Sequence, residues 1–130
     1  MPTTGPLPKM EADEITRLMH AVLGVQSEAG ELADILKRHL FYGQPLDLVH
    51  IAEELGDICW YIAIGTDAAG FPLGNVFNAI SDKLRVRYGD EFDMAKAAEK
   101  ARDRPAERRA MMAALFDGLN KPEVPSVPAA

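Results

Sequence analysis

Apolar residues recur at helical spacing along most of the chain. Leu18, Val22, Val25, Ala29, Leu32 and Leu36 stand at alternating steps of four and three, the signature of a helix with one core-facing stripe. The pattern predicts a first helix from about Glu11 to Leu40. Gly24 and Gly30 fall inside it and cost about 1 kcal/mol each relative to Ala, so each invites either a close helix contact or, near Gly24, a kink. "FYGQPLD" then breaks the chain: Gly43 suits a C-terminal cap, Pro45 cannot continue a helix and Asp47 can start the next. A second helix follows over about Leu46–Ala69, with Leu48, Ile51, Leu55, Ile58 and Ile62 inward and Trp60 and Tyr61 adding bulk. "AGFPLGN" is another stop, and a third helix spans Leu73–Tyr88, apolar at Val76, Phe77, Ile80 and Leu84. A charged segment interrupted by Pro105 ends near "RRAMMAALFDGL". No strand pattern and no internal repeat is present. Short connections favour antiparallel neighbours, so the expected fold is all-α, a helical bundle of antiparallel helix hairpins. The domain is placed at residues 10–119, between Pro-rich flexible tails at 1–9 and 120–130.

The acids are placed unusually on this frame. Glu28 and Glu31 lie three apart on the first helix, and Glu54 and Asp57 three apart on the second, so each pair shares a face. Glu31 stands twelve positions before Gly43 and Glu54 eleven after it. At ~1.5 Å per residue both pairs fall at the same height in an antiparallel hairpin. Each acid directly precedes an apolar stripe residue, which puts all four on the flank of the stripe. Two like charges ~4 Å apart repel by about 4 kcal/mol at intermediate dielectric, so carboxylates gathered at one level call for a cation. Oxygen-only donors suit hard ions, Mg²⁺ first and Mn²⁺ next. The competing reading is two unrelated pairs on solvated helix faces. A di-iron bundle fits less well, because such sites use Glu-x-x-His and neither pair has His in the third place.

Composition narrows the classes. With 48% hydrophobic and 26% charged residues, the chain has the balance of one ordinary domain with a core of its own. A net charge of −6 argues against a nucleic-acid polymer as partner yet leaves small phosphorylated ligands open, since a bound cation reverses the local field. The lone Cys59, flanked by apolar residues, reads as a buried thiol, and a single cysteine points to a reducing, cytoplasmic setting. No apolar run approaches the roughly 20 residues that span a bilayer, so no membrane partner is expected.

"EAGEL" followed by "EELGD" resembles the ExxE…ExxD signature of the MazG-like, all-α nucleoside triphosphate pyrophosphohydrolases. The likeness continues through "KLRVRYGDEF" into "RDRPAERR" and covers most of residues 18–110. One ExxE carries no weight; the ordered set of ExxE, FYG turn, EELGD and KLxxRYG is specific. The resemblance implies paired helical hairpins assembled as a homodimer or homotetramer. It also implies hydrolysis of a nucleoside triphosphate between the α and β phosphates to monophosphate and pyrophosphate, with Mg²⁺ or Mn²⁺. It assigns Glu28, Glu31, Glu54 and Asp57 as metal ligands and catalytic residues. One of them, or the neighbouring Glu53, would orient or deprotonate the attacking water. Lys83 and Arg87 would meet the phosphate chain, with Tyr88 nearby. Many relatives read N-x-x-K-L before RYG, whereas "ISDKL" puts Ile80 in the place of that Asn. The departure bears on the base selected, and a purine, (d)GTP, is the leaning; deoxypyrimidine or aberrant nucleotides remain alternatives. The size and compact ending suit a bacterial or phage member, the latter acting in the host cytoplasm.

Other residues admit two readings each. Lys37, Arg38 and His39 close the first helix, where cations favour its dipole; Lys37 is the candidate to reach the nucleotide. His50 shares a face with Glu54 and Asp57, as a surface histidine or a partner to a ligand. Arg102, Arg104, Arg108 and Arg109 alternate with acids as on a solvated face. From a different functional class, a non-catalytic helical assembly module would keep the apolar stripes without needing acids at one level.

Overall fold

The computed structural model describes residues 9–90, 93–95 and 102–119, which form four helices: α1 (Ala12–Tyr42), α2 (Leu48–Ala68), α3 (Leu73–Tyr88) and α4 (Arg104–Leu115). No strand occurs among the described residues, and the fold is all-α. The expected tails at 1–9 and 120–130 lie outside them except for Lys9. The chain divides into two compact units, one ending at Gly70 and the other beginning at Phe71. No helix among the described residues is long and apolar enough to cross a membrane.

Local chemistry sets the helix ends. At the start of α1, Glu11 N–H donates to Glu14 Oε2 at 2.8 Å in a capping box. α1 runs unbroken through Gly24 and Gly30 and stops at Gly43, whose φ of 67° is left-handed and suits glycine. Asp47 caps α2 by accepting the N–H groups of Val49 and His50 at 3.0 and 3.1 Å. Pro105, expected to interrupt a helix, instead stands in the first turn of α4 behind the Asp103 cap, where a missing N–H costs nothing.

In the first unit α1 packs antiparallel on α2, and the buried stripes differ from those the apolar pattern indicates. On α1, Ala21 and Gly24 are buried and Leu18, Val25, Glu28, Leu32 and Ile35 half-buried, while Val22, Ala29 and Leu36 are exposed. On α2, Glu54, Gly65 and Ala68 are buried and Ile51, Ile58 and Tyr61 half-buried; Leu55 is 48% exposed. Apart from the adjacent Gly24 and Val25, both sets keep steps of three and four. The stripe is thus rotated by about one position from the expected one, and Glu28 and Glu54 are members of it rather than its flank. Small residues let the backbones approach, and the bulkier Val22 and Leu55 are turned out. Cys59, read as buried, is exposed for the same reason.

In the second unit α3 packs antiparallel on α4 and is fastened at both ends. Phe71 meets Phe116 edge to face at 5.4 Å, and Asn75 Nδ2 donates to the Leu115 and Asp117 carbonyls at 3.1 and 3.0 Å. At the other end Arg87 forks onto Glu107, Nε to Oε1 at 2.8 Å and Nη2 to Oε2 at 3.1 Å, while Arg102 Nη2 reaches Oε2 at 2.9 Å.

Candidate metal centre

Three carboxylates converge between α1 and α2. Glu28, Glu54 and Asp57 each offer an oxygen, and these oxygens all lie within 4.8 Å of one another. The helices bring them there because Glu28 holds a stripe position on α1, and Glu54 and Asp57 are three apart on the facing side of α2. Their exposure is graded: Glu54 is 3% exposed, Glu28 is half-buried and Asp57 is exposed.

Glu54 is the informative member. Its Oε1 accepts from His50 Nε2 at 2.9 Å, one turn earlier on α2. Its Oε2 is buried without a hydrogen-bond partner. An unpaired buried carboxylate oxygen is costly, and here it lies among further negative charge. The strain registers at Glu28, whose pKa is raised, first by its own burial and then by the Glu54 carboxylate and the charges of Glu31 and Asp57.

A hard divalent cation fits this donor set. The ligands are all oxygens, one lacks any partner, and the separations approach those a single ion imposes. With Mg–O bonds of ~2.1 Å, two oxygens on one ion lie at most about 4.2 Å apart, so the cluster would need to tighten only slightly.

The other candidates are distributed as follows. Glu31 is exposed and stands outside the close trio, although its charge acts on Glu28. It lines a cleft of about 470 Å³ with Asp34, Arg38, Gln44 and His50. Glu53 is exposed. Lys37 is paired to Asp34 at 2.8 Å, and Arg38 to the same carboxylate at 2.6 Å; the two cations hold the Asp34 carboxyl below its usual range. In the second unit Lys83 is half-buried and makes no ion pair among the described residues. Arg87, four positions on, is committed to Glu107, with its guanidinium 5.6 Å from the Tyr88 ring centre.

Two residues carry more than the sequence reading gave them. His50 read first as a surface histidine, and the structure pairs it with the buried Glu54. Glu107 drew no attention among its arginines. It is 2% exposed, and Arg87 first, then Arg102, hold its carboxyl down at about 2. Glu107 in turn raises the Arg87 guanidinium above its ordinary value. The only sequence signal was its place three residues into a Pro-started helix, with basic residues on both sides.

Comparison with known families matches residues 16–92 to the MazG nucleotide pyrophosphohydrolase domain. No curated protein and no solved structure matches the chain. The matched region takes in most of α1 and all of α2 and α3, including all three converging carboxylates and the KLRVRYG segment. It spans more than half the chain, and the chain belongs to the family of MazG nucleotide pyrophosphohydrolase domains.

Proposed function

We propose that the protein hydrolyses a nucleoside triphosphate between its α and β phosphates, releasing the monophosphate and pyrophosphate, with Mg²⁺ or Mn²⁺ held by Glu28, Glu54 and Asp57. The observation that carries this reading is Glu54, whose Oε2 is buried with no partner and whose carboxylate gathers with two more. When bound, the cation neutralises charge on the phosphate oxygens and makes water a better nucleophile.

The chain's own groups then divide the work. His50 holds Glu54 Oε1 and so leaves Oε2 to the cluster. Glu31, in the adjoining cleft, is the fourth acid of the motif and completes the ligand set or orients the attacking water, a role Glu53 shares. Lys83 meets the phosphate chain. Arg87, whose Nε and Nη2 engage Glu107, is the second phosphate contact, and Tyr88 steadies it. Lys37, on the exposed end of α1, belongs to the same substrate-facing set. The substrate proposed is (d)GTP, on the replacement of the usual Asn by Ile80.

The protein is further proposed to assemble as a homodimer or homotetramer. Leu40, Phe41, Tyr42, Leu48 and Val49, at the hairpin end of the first unit, are each at least 70% exposed, and large apolar side chains gathered in the open are what an interface covers. Light scattering coupled to size exclusion would read the assembly, and a monomer would sink this part.

The test of activity is hydrolysis of the eight standard NTPs and dNTPs with Mg²⁺ or Mn²⁺, with products separated by ion exchange. Monophosphate and pyrophosphate, highest from (d)GTP and absent in Glu54→Gln, are expected. Orthophosphate as the first product would overturn the position of cleavage, and a best substrate with a pyrimidine base would overturn the purine assignment.

A further inference from the structure

Gly24 and Gly30 lie in the same helix, and neither has a positive φ. Neither is therefore there for backbone conformation, and Ala would be the better helix former at both. Their surroundings differ. A Cβ built on Gly30 meets nothing within 4 Å, whereas one built on Gly24 overlaps the Tyr61 ring at Cγ, Cδ1 and Cε1. Cγ is next to the root of that side chain, so turning the ring does not relieve the overlap. His20, one turn before Gly24 on α1, also meets the ring, edge on at 5.9 Å. One turn further on, Gly65 lies close enough that a Cβ there would stand 3.3 Å from Ala21 Cβ.

This close approach sits one turn from the carboxylates. Gly24 is four residues before Glu28 on α1, and Tyr61 is four after Asp57 on α2, about 6 Å along each axis. At the cluster itself like charges push the helices apart. Gly24 on Tyr61 and Ala21 on Gly65 bring the backbones together next to it. The partnerless Glu54 Oε2, on a residue 3% exposed, independently marks the cluster as a place where a ligand is needed.

We propose that Gly24 and Tyr61 form a spacing contact that sets the α1–α2 separation at Glu28, Glu54 and Asp57, and thereby the affinity for a divalent cation. Both are positioning residues that touch no substrate. The inference rests on the metal reading of the cluster. A single added methyl at Gly24 parts the helices at the level where donor separations of a few ångströms decide whether three oxygens reach one ion.

The experiment is Mn²⁺ titration of the full chain, free Mn²⁺ being followed by its electron paramagnetic resonance signal, beside metal-free circular dichroism. Wild-type binding that Glu54→Gln abolishes establishes the site. Gly24→Ala is then expected to raise the Mn²⁺ Kd about 10-fold or more, the scale of supporting residues around metal ligands. Gly30→Ala, the same change in the same helix, leaves Kd unchanged. Gly24→Ala combined with Tyr61→Ala restores space for the methyl and returns Kd to within about 3-fold of wild type, a coupling between contacting residues. If Gly24→Ala alone does not fold, recovery of both helicity and Mn²⁺ binding in the double variant carries the same conclusion. A folded Gly24→Ala with wild-type Kd overturns the proposal, as does a double variant that binds no better than the single one. Wild-type protein that binds no Mn²⁺, or Glu54→Gln that still binds it, instead overturns the metal reading and the spacing role with it.

Discussion

Two glutamates are buried to nearly the same degree in the two halves of this chain, Glu54 at 3% exposure and Glu107 at 2%, and their surroundings are opposite. Glu107 is gripped by two guanidiniums, which use both of its oxygens. Glu54 has one histidine on one oxygen, nothing on the other, and two carboxylates nearby. Burial of a carboxylate therefore does not by itself separate structure from function; the charge supplied around it does. In the α3–α4 unit the protein provides its own counter-charge, and the pair joins two helices. In the α1–α2 unit no Lys or Arg among the described residues pairs with the three carboxylates and only His50 meets Glu54, which is the arrangement a cation site requires.

The comparison is broken most severely by removing Glu107. Glu107→Ala strands Arg87, only 17% exposed at its side chain, and is expected to lower Tm by at least about 10 °C in a thermal melt. Acid sharpens the same point. The Glu107 carboxyl sits at about 2 against an ordinary 4.5, so its folded value is depressed. Its contribution to stability is complete above about 4.5 and is lost as pH falls from there towards about 2. Glu107→Gln should flatten that part of the stability–pH curve, and an unchanged acid limb would show that the arginines contribute nothing there.

Glu54 should behave in the opposite way. Glu54→Gln removes a buried charge that has one oxygen without a partner and two carboxylates beside it, so the metal-free protein should melt no lower than wild type while losing turnover. Added Mn²⁺ at ~100 times its Kd should stabilise the wild type by about 2.7 kcal/mol and leave Glu54→Gln unmoved. Equal responses of the two proteins to Mn²⁺ would end the contrast. His50→Ala comes next, with an expected loss of about 10-fold in Mn²⁺ affinity and little change in the metal-free melt. The smallest effect belongs to the ion pair of Arg17 with Asp67, 2.7 Å apart yet exposed on both sides. Arg17→Ala should cost no more than about 0.5 kcal/mol, which denaturant unfolding would register as almost no change in midpoint.

The sequence by itself determined a good deal. Gly43, Asp47, Pro72 and Gly89 act within a few residues of themselves, through φ, capping and the missing proline N–H, so the ends of α1, α2 and α3 were legible to within two residues. The ordered acids about the Gly43 turn were legible too, because helix rise and a hairpin fix their height without any knowledge of packing. Tertiary structure alone decided which side of each helix faced its neighbour. The apolar pattern chose Val22, Ala29 and Leu55, but Ala21, Gly24, Gly65 and Ala68 allow the backbones much closer together, and the helices rotated to use them. That rotation carried Glu28 and Glu54 from the flank into the buried stripe and left Glu31 outside the trio. It likewise turned Cys59 to solvent. The grip of Arg87 on Glu107 joins residues twenty positions apart in sequence, and no spacing rule announces a partner that only the antiparallel packing of α3 and α4 brings within 2.8 Å. Local chemistry writes helix ends and heights, whereas the phase of a helix pair follows from which faces let two backbones come closest.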